Sequence, residues 1–133
     1  NQPKRDGCVP IQAAAVKGHG AILELLLALR APVDAQNEDG WSALSCASMD
    51  DQSATAAILL ERRADVDLCG ALGETPLYIA SEHGSLRTAR LLLAHRCAVN
   101  KRTHEGATPL RIALAKRQGE VAGVLKEAGG EIK

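Results

Sequence analysis

The chain runs to 133 residues, one more than four times 33, and its 16 Lys and Arg are balanced by 16 Asp and Glu. Without net charge there is no global field to mark nucleic acid or an anionic membrane as a partner. One Trp, one Tyr and no Phe leave no stacking platform for single-stranded nucleic acid, and they imply a core of Ala, Leu, Ile and Val suited to close-packed helices.

A period of 33 residues governs the chain. Gly7, Gly40, Gly73 and Gly106 keep that spacing, as do Ala14, Ala47, Ala80 and Ala113, and Leu26, Leu59, Leu92 and Leu125. So do Ile11, Leu44, Leu77 and Leu110, and Val33, Val66, Val99 and Ile132. Such self-similarity marks one supersecondary unit stacked repeatedly, because no unit buries its apolar face alone. The columns set units near 4–36, 37–69, 70–102 and 103–133, together one domain over 1–133.

In chain order, the first unit opens with Val9-Pro10 and has no N-cap hydroxyl. A short helix carries Ile11 and Ala14, Gly18 breaks it, and a second helix carries Leu25, Leu26 and Leu27. Ala-x-Val-Asp then leads into a turn and the next Gly. The second unit has Ser42 as its cap. In the third and fourth, Thr75-Pro76 and Thr108-Pro109 place a capping hydroxyl before a Pro, whose fixed φ suits the first helical turn. Leu77 and Ala80, three apart, share one helix face, and the Ala column is small where neighbouring helices approach closely. The last unit puts Lys126 where the others have Leu27, Leu60 and Leu93, a polar substitution that a terminal unit needs. The first unit is less protected, so either residues 1–6 cover it or the native protein continues upstream.

Gly73-Glu74-Thr75-Pro76-Leu77-Tyr78-Ile79-Ala80 resembles the ankyrin-repeat signature, G-x-T-P-L-H-x-A, and Gly106 to Ala113 is similar to it. Ala64-Asp65-Val66-Asp67 resembles the closing A-D-V-N of that family. The resemblance covers residues 4 to 133 and implies an all-α ankyrin-repeat solenoid of four helix-turn-helix units with β-turn or hairpin tips. Gln12, Ser45, Tyr78 and Arg111 occupy the signature His column, so the usual His hydrogen bond between neighbouring turns is not expected.

The chain contains no Walker loop, GxGxxG, HExxH or G-x-S-x-G, and His19, His83, His95 and His104 lie in different units without a ligand partner at i+4. No enzyme, cofactor or metal is expected. Cys8, Cys46, Cys69 and Cys97 could form two disulfides, but their wide spacing without CxxC favours thiols in a reducing, intracellular setting, cytoplasm or nucleus. The richest apolar stretch, Ala21 to Leu29, contains Glu24 and is too short for a membrane span. Asn1 to Arg5 has no apolar region behind it, so no signal peptide is expected. The absence of an initiator Met suggests a fragment or a processed chain.

The resemblance also implies a concave partner-binding face made of turn tips and first helices. Its variable positions fall on Arg5, Asp6, Cys8, Val16, Lys17 and Leu29, then on Glu38, Asp39, Trp41, Met49, Asp50 and Arg62. In the third unit they are Ala71, Leu72, Glu74, Glu82, His83 and His95. In the fourth they are His104, Glu105, Ala107, Ala115, Lys116 and Ala128. Trp41 shares its column with Cys8, Glu74 and Ala107, three unrelated chemistries, so packing does not dictate the ring. An exposed Trp beside Met49 and Leu72 has the composition of an interface anchor; the alternative is a ring folded flat into a gap between turns. Acidic residues surround it and both ends of the chain are more basic, which suits a partner with a basic centre and one buried hydrophobe.

Arg30, Arg63 and Arg96 stand where the family usually has Gly, at a position of positive φ. They are either a relic of repeat duplication or a basic stripe. Asn100 falls where asparaginyl hydroxylases modify many ankyrin repeats, although Ala98 replaces the usual Asp before it. The expected function is a non-catalytic module binding a protein or peptide around Trp41, as a monomer or as part of a larger chain. An architectural spacer or adaptor segment of a multidomain protein is the alternative.

Overall fold

The computed structural model of the chain describes residues 10–132. Among them run eight α-helices, α1 (Pro10–Val16), α2 (Gly20–Ala28), α3 (Ala43–Met49), α4 (Ser53–Glu61), α5 (Pro76–His83), α6 (Leu86–Ala94), α7 (Pro109–Ala115) and α8 (Gly119–Glu127). No strand occurs among the described residues. Gly7, Val9 and the expected contacts at Arg5, Asp6 and Cys8 lie outside them.

The first helices begin where the sequence places their caps. The hydroxyls of Ser42, Thr75 and Thr108 accept from the backbone N–H groups of Ser45, Tyr78 and Arg111, satisfying donors that a helix start leaves open. Pro76 and Pro109 take the first helical position. α1, α3, α5 and α7 pack side by side in one row and α2, α4, α6 and α8 in a second, each second helix lying against the first helix of its own unit. Ala14, Ala47, Ala80 and Ala113 are buried between helices of the inner row, with Ile11, Leu44, Leu77 and Leu110 beside them. Leu59, Leu92 and Leu125 are fully enclosed on the outer row.

Hydrogen bonds between units repeat with the same period. The side chains of Gln52, Ser85 and Gln118 donate to the carbonyls of Val16, Met49 and Glu82, at 3.2, 3.3 and 3.0 Å. Each bond satisfies the carbonyl end of a first helix from the following unit. Beyond the second helices, Asp34, Asp67 and Asn100 accept from the N–H groups of Asp65, Ala98 and Glu131 at 3.0, 2.9 and 2.7 Å. At the tips, the N–H groups of Ala71 and His104 donate to the carbonyls of Asp39 and Leu72, both at 2.9 Å. Stacking is therefore a ladder of polar contacts flanking an aliphatic core.

Two expectations need amendment. The bond between turns survives in the first unit without histidine, since the buried Gln12 amide donates to the carbonyls of Ala35 and Trp41 at 2.9 and 2.8 Å. Gln reaches as far as His and carries two donors on one nitrogen. Left-handed backbone is also more common than expected. Arg30, Arg63 and Arg96 adopt φ of 72°, 68° and 61°, as their place in the Gly column implies, but Asp51 and Arg117 join them at 54° and 60°. Gly129, one period after Arg96, takes the same conformation without strain.

The two ends of the stack differ. Lys126 is exposed on α8. Ile22 and Leu25 on α2 and Leu29 at its C-cap are 51%, 59% and 70% exposed, whereas Thr55, Thr88 and Val121, in the column of Ile22, are buried against the unit before them.

Candidate functional site

The tips of the second, third and fourth units form one continuous edge. Each is a hairpin-like turn closed by its own backbone: the N–H groups of Asn37, Gly70 and Thr103 donate to the carbonyls of Trp41, Glu74 and Ala107, all at 2.9 Å. Gly40 and Gly73 carry φ of 78° and 85°. A Cβ on Gly40 would stand 2.7 Å from the N of Ala71, and one on Gly73 would stand 2.9 Å from the N of His104. Glycine therefore lets successive tips approach closely enough to bond.

Trp41 is half-buried, not exposed as its position suggested. Its ring lies across Gly70, where a Cβ would come within 2.9 Å of Trp41 Cδ1. The indole N–H donates to Glu74 Oε2 at 3.3 Å, while Glu74 Oε1 accepts from the N–H of Leu72 at 3.0 Å. The ring thus has a structural duty that the sequence did not reveal, because the signal was a missing side chain at Gly70. A shallow hollow of about 340 Å³ remains beside it, lined by Asp39, Trp41, Ala71, Leu72 and Glu74. Leu72 is 69% exposed on its wall.

A second cleft of about 180 Å³ adjoins this hollow and shares Leu72 and Glu74 with it. Tyr78, Glu82, Thr103, His104 and Glu105 complete its lining. Tyr78 and Glu82 are four apart on α5 and so share a face, and residues 103–105 reach over from the next tip. Burial pushes the Tyr78 phenol above its ordinary range, with Glu82, Glu105 and Glu74 adding to the effect and Arg111 opposing it. Sequence reasoning put Tyr78 among residues of the fold alone and named Glu105 without its cleft. The i, i+4 pairing of Tyr78 with Glu82 was the available clue.

The remaining candidates separate into groups. Glu38 is exposed at the second tip beside Asp39, while Met49 and Asp50 stand at the far end of α3, about 10 Å along its axis from its start. Met49 is half-buried and does not line the hollow at Trp41, so the expected Trp–Met pairing is absent from that hollow. His83 ends α5, its Nε2 lying 3.9 Å from a Glu82 carboxylate oxygen. Arg62 and His95 cap the C-termini of α4 and α6, on the outer row and outside both clefts. Asn100 has both ends of its amide engaged, accepting from the N–H of Glu131 and donating to the carbonyl of Gly129. A hydroxylase would have to draw it out of that ladder first.

Among the described residues no group of three or more His, Cys, Asp or Glu is placed to hold a metal ion. None of their helices is long and apolar enough to cross a membrane.

A family model for ankyrin repeats, written for three copies, matches residues 1–69 and again residues 63–133. The chain belongs to the ankyrin-repeat family, whose members generally serve as protein–protein interaction modules and are typically not enzymes. No curated protein matches the chain.

Proposed function

We propose that the chain is a non-catalytic module that grips a protein or peptide on the face made by its tips and first helices, centred on Trp41. The observation that carries this reading is the exposed Leu72 beside a half-buried Trp41, above a hollow edged by Asp39 and Glu74. Exposed apolar groups with aromatic support and a polar rim are the composition of an interface centre. Glu74, held by two hydrogen bonds, keeps that surface ordered before a partner arrives, which lowers the entropy lost on binding. An intracellular setting is part of the proposal. It rests on the wide cysteine spacing and on Cys69 and Cys97, which stand as thiols.

The test is selection of a random peptide library on the immobilised chain, followed by amide NMR with the selected peptides. Shifts should gather on residues 38–41, 71–74 and 103–105. Shifts confined to the ends of α2, α4 and α6 would refute the assignment.

An architectural role has one observation in its favour, the exposed ridge of Ile22 and Leu25 on α2 and Leu29 at its C-cap. A neighbouring domain covering that ridge would be released by Leu25→Glu and Leu29→Glu, with peptide binding at the tips unchanged.

A further inference from the structure

The edge of tips carries two compartments with different chemistry and a common wall. At Trp41 the hollow offers an indole ring, Ala71 and Leu72. At Tyr78 the cleft offers an aromatic ring among Glu74, Glu82 and Glu105, which come from the third tip, from α5 and from the fourth tip. Both Glu74 oxygens are engaged by Trp41 and Leu72, so that carboxylate is fixed in place. Glu82 has a weak neighbour in the His83 ring at 3.9 Å, and Glu105 is exposed. Among the described residues, Arg111 is the one cation acting on Tyr78, and it does so less than any of the three carboxylates.

Resting on the interaction reading above, we propose that this cleft takes an arginine side chain of the bound protein segment, while the hollow at Trp41 takes a neighbouring apolar side chain. A flat guanidinium stacks on a tyrosine face and directs its five N–H donors outward in its own plane. Carboxylates from three elements line the cleft with the ring and supply acceptors for several of those donors. Lysine, a compact and strongly hydrated point charge, can satisfy fewer of them together. Charge complementarity also selects against acidic segments, which would meet three carboxylates at one ring.

The experiment uses the whole chain and two small probes, N-acetyl-arginine amide and its uncharged isostere N-acetyl-citrulline amide, titrated by NMR. The arginine probe should shift the Tyr78 ring and the amides of residues 72–74, 82 and 103–105, and added salt should weaken it. Citrulline should leave those signals in place. Glu82→Gln, an isosteric change at a partly exposed site, should weaken the arginine probe about threefold, the weight of one exposed ion pair. Equal shifts from both probes, or arginine binding untouched by Glu82→Gln, would overturn the assignment. Library peptides that map to the tips while the arginine probe fails would sink the cleft alone and leave the interaction face standing. Peptides that map elsewhere would sink the face.

Discussion

The indole N–H of Trp41 bonds to Oε2 of Glu74, the residue that holds the same place one repeat later. A single column of the repeat thus supplies both partners of a contact between units. That contact fixes a ring beside an exposed Leu72, so one pair of side chains joins the stacking of tips to the shape of the candidate interface.

Glu74 should behave as a positioning residue. Glu74→Ala removes the acceptor for both the Trp41 indole and the Leu72 N–H. Net hydrogen bonds are worth about 1 kcal/mol each, and partial exposure reduces the loss, so stability should fall by about 1 kcal/mol. Trp41 fluorescence should shift to the red as the ring leaves Gly70. Glu74→Gln keeps one acceptor oxygen, which can serve the Trp41 indole at the expense of the Leu72 N–H, and it should shift the fluorescence less. Red shifts of equal size in both variants would mean that charge, not the hydrogen bond, seats the indole.

The left-handed arginines give a stability prediction of opposite sign. Arg30, Arg63 and Arg96 are exposed and make no ion pair among the described residues. A non-Gly residue at such φ costs about 1 kcal/mol. Replacing any of them by Gly relieves that strain, while the added freedom of the unfolded chain offsets part of the gain. Each variant should be neutral to stabilising, by up to about 1 kcal/mol, in a denaturant melt. Clear losses in all three would reveal native contacts of the guanidinium groups.

Asp51 is the contrasting case, because its left-handed backbone is accompanied by work for its side chain. One carboxylate oxygen accepts from both the N–H and the hydroxyl of Thr88 at 2.9 Å, capping α6 from the unit before it. Thr88 is fully buried, so Asp51→Ala strands two donors and leaves Ala at positive φ. A loss of about 2 kcal/mol is expected. Asp51→Asn retains an acceptor and tolerates the conformation, and it should lose much less. Equal losses would assign the effect to charge, through Arg87, whose Nε lies 3.7 Å from the other oxygen.

The stack itself was legible in the sequence because a 33-residue period writes each column four times. Ser42, Thr75 and Thr108 cap as their hydroxyls predict, and Arg30, Arg63 and Arg96 adopt the backbone that their column implies. The site was legible only as a set of positions. Trp41 is seated by the absence of a Cβ at Gly70, and Glu74 is oriented by bonds that depend on how tips stack. Met49 and Trp41 share a variable set in the repeat, yet Met49 ends α3 and Trp41 precedes its N-cap Ser42. Gln12 replaces a histidine bond by reach and donor geometry, which residue type alone does not convey.

Alkaline pH should weaken the fold. Burial, with Asp67 adding to it, pushes the Cys97 thiol up to about 12 from its ordinary 9.0. The unfolded chain gives up that proton near pH 9 and the folded chain keeps it to about 12. The stabilising contribution is therefore complete below pH 9 and lost as pH rises through that window. Tyr78, also raised, acts in the same direction above 10.0. Urea midpoints should fall as pH rises from about 9 toward 10.5, and Cys97→Ala should flatten the fall. An unchanged slope in that variant would place the sensitivity elsewhere.

The central claim is that Trp41 anchors a partner as well as joining two tips. Its most direct test is the affinity of Trp41→Ala for a peptide selected on the wild-type chain, set beside the variant's unfolding free energy. Losing a half-buried ring and one long hydrogen bond should cost about 1 kcal/mol of stability. Losing an interface anchor should cost about 2 kcal/mol or more in binding, near thirtyfold in Kd. A variant that loses stability but keeps its affinity would show that the ring serves the stack alone and would contradict the account.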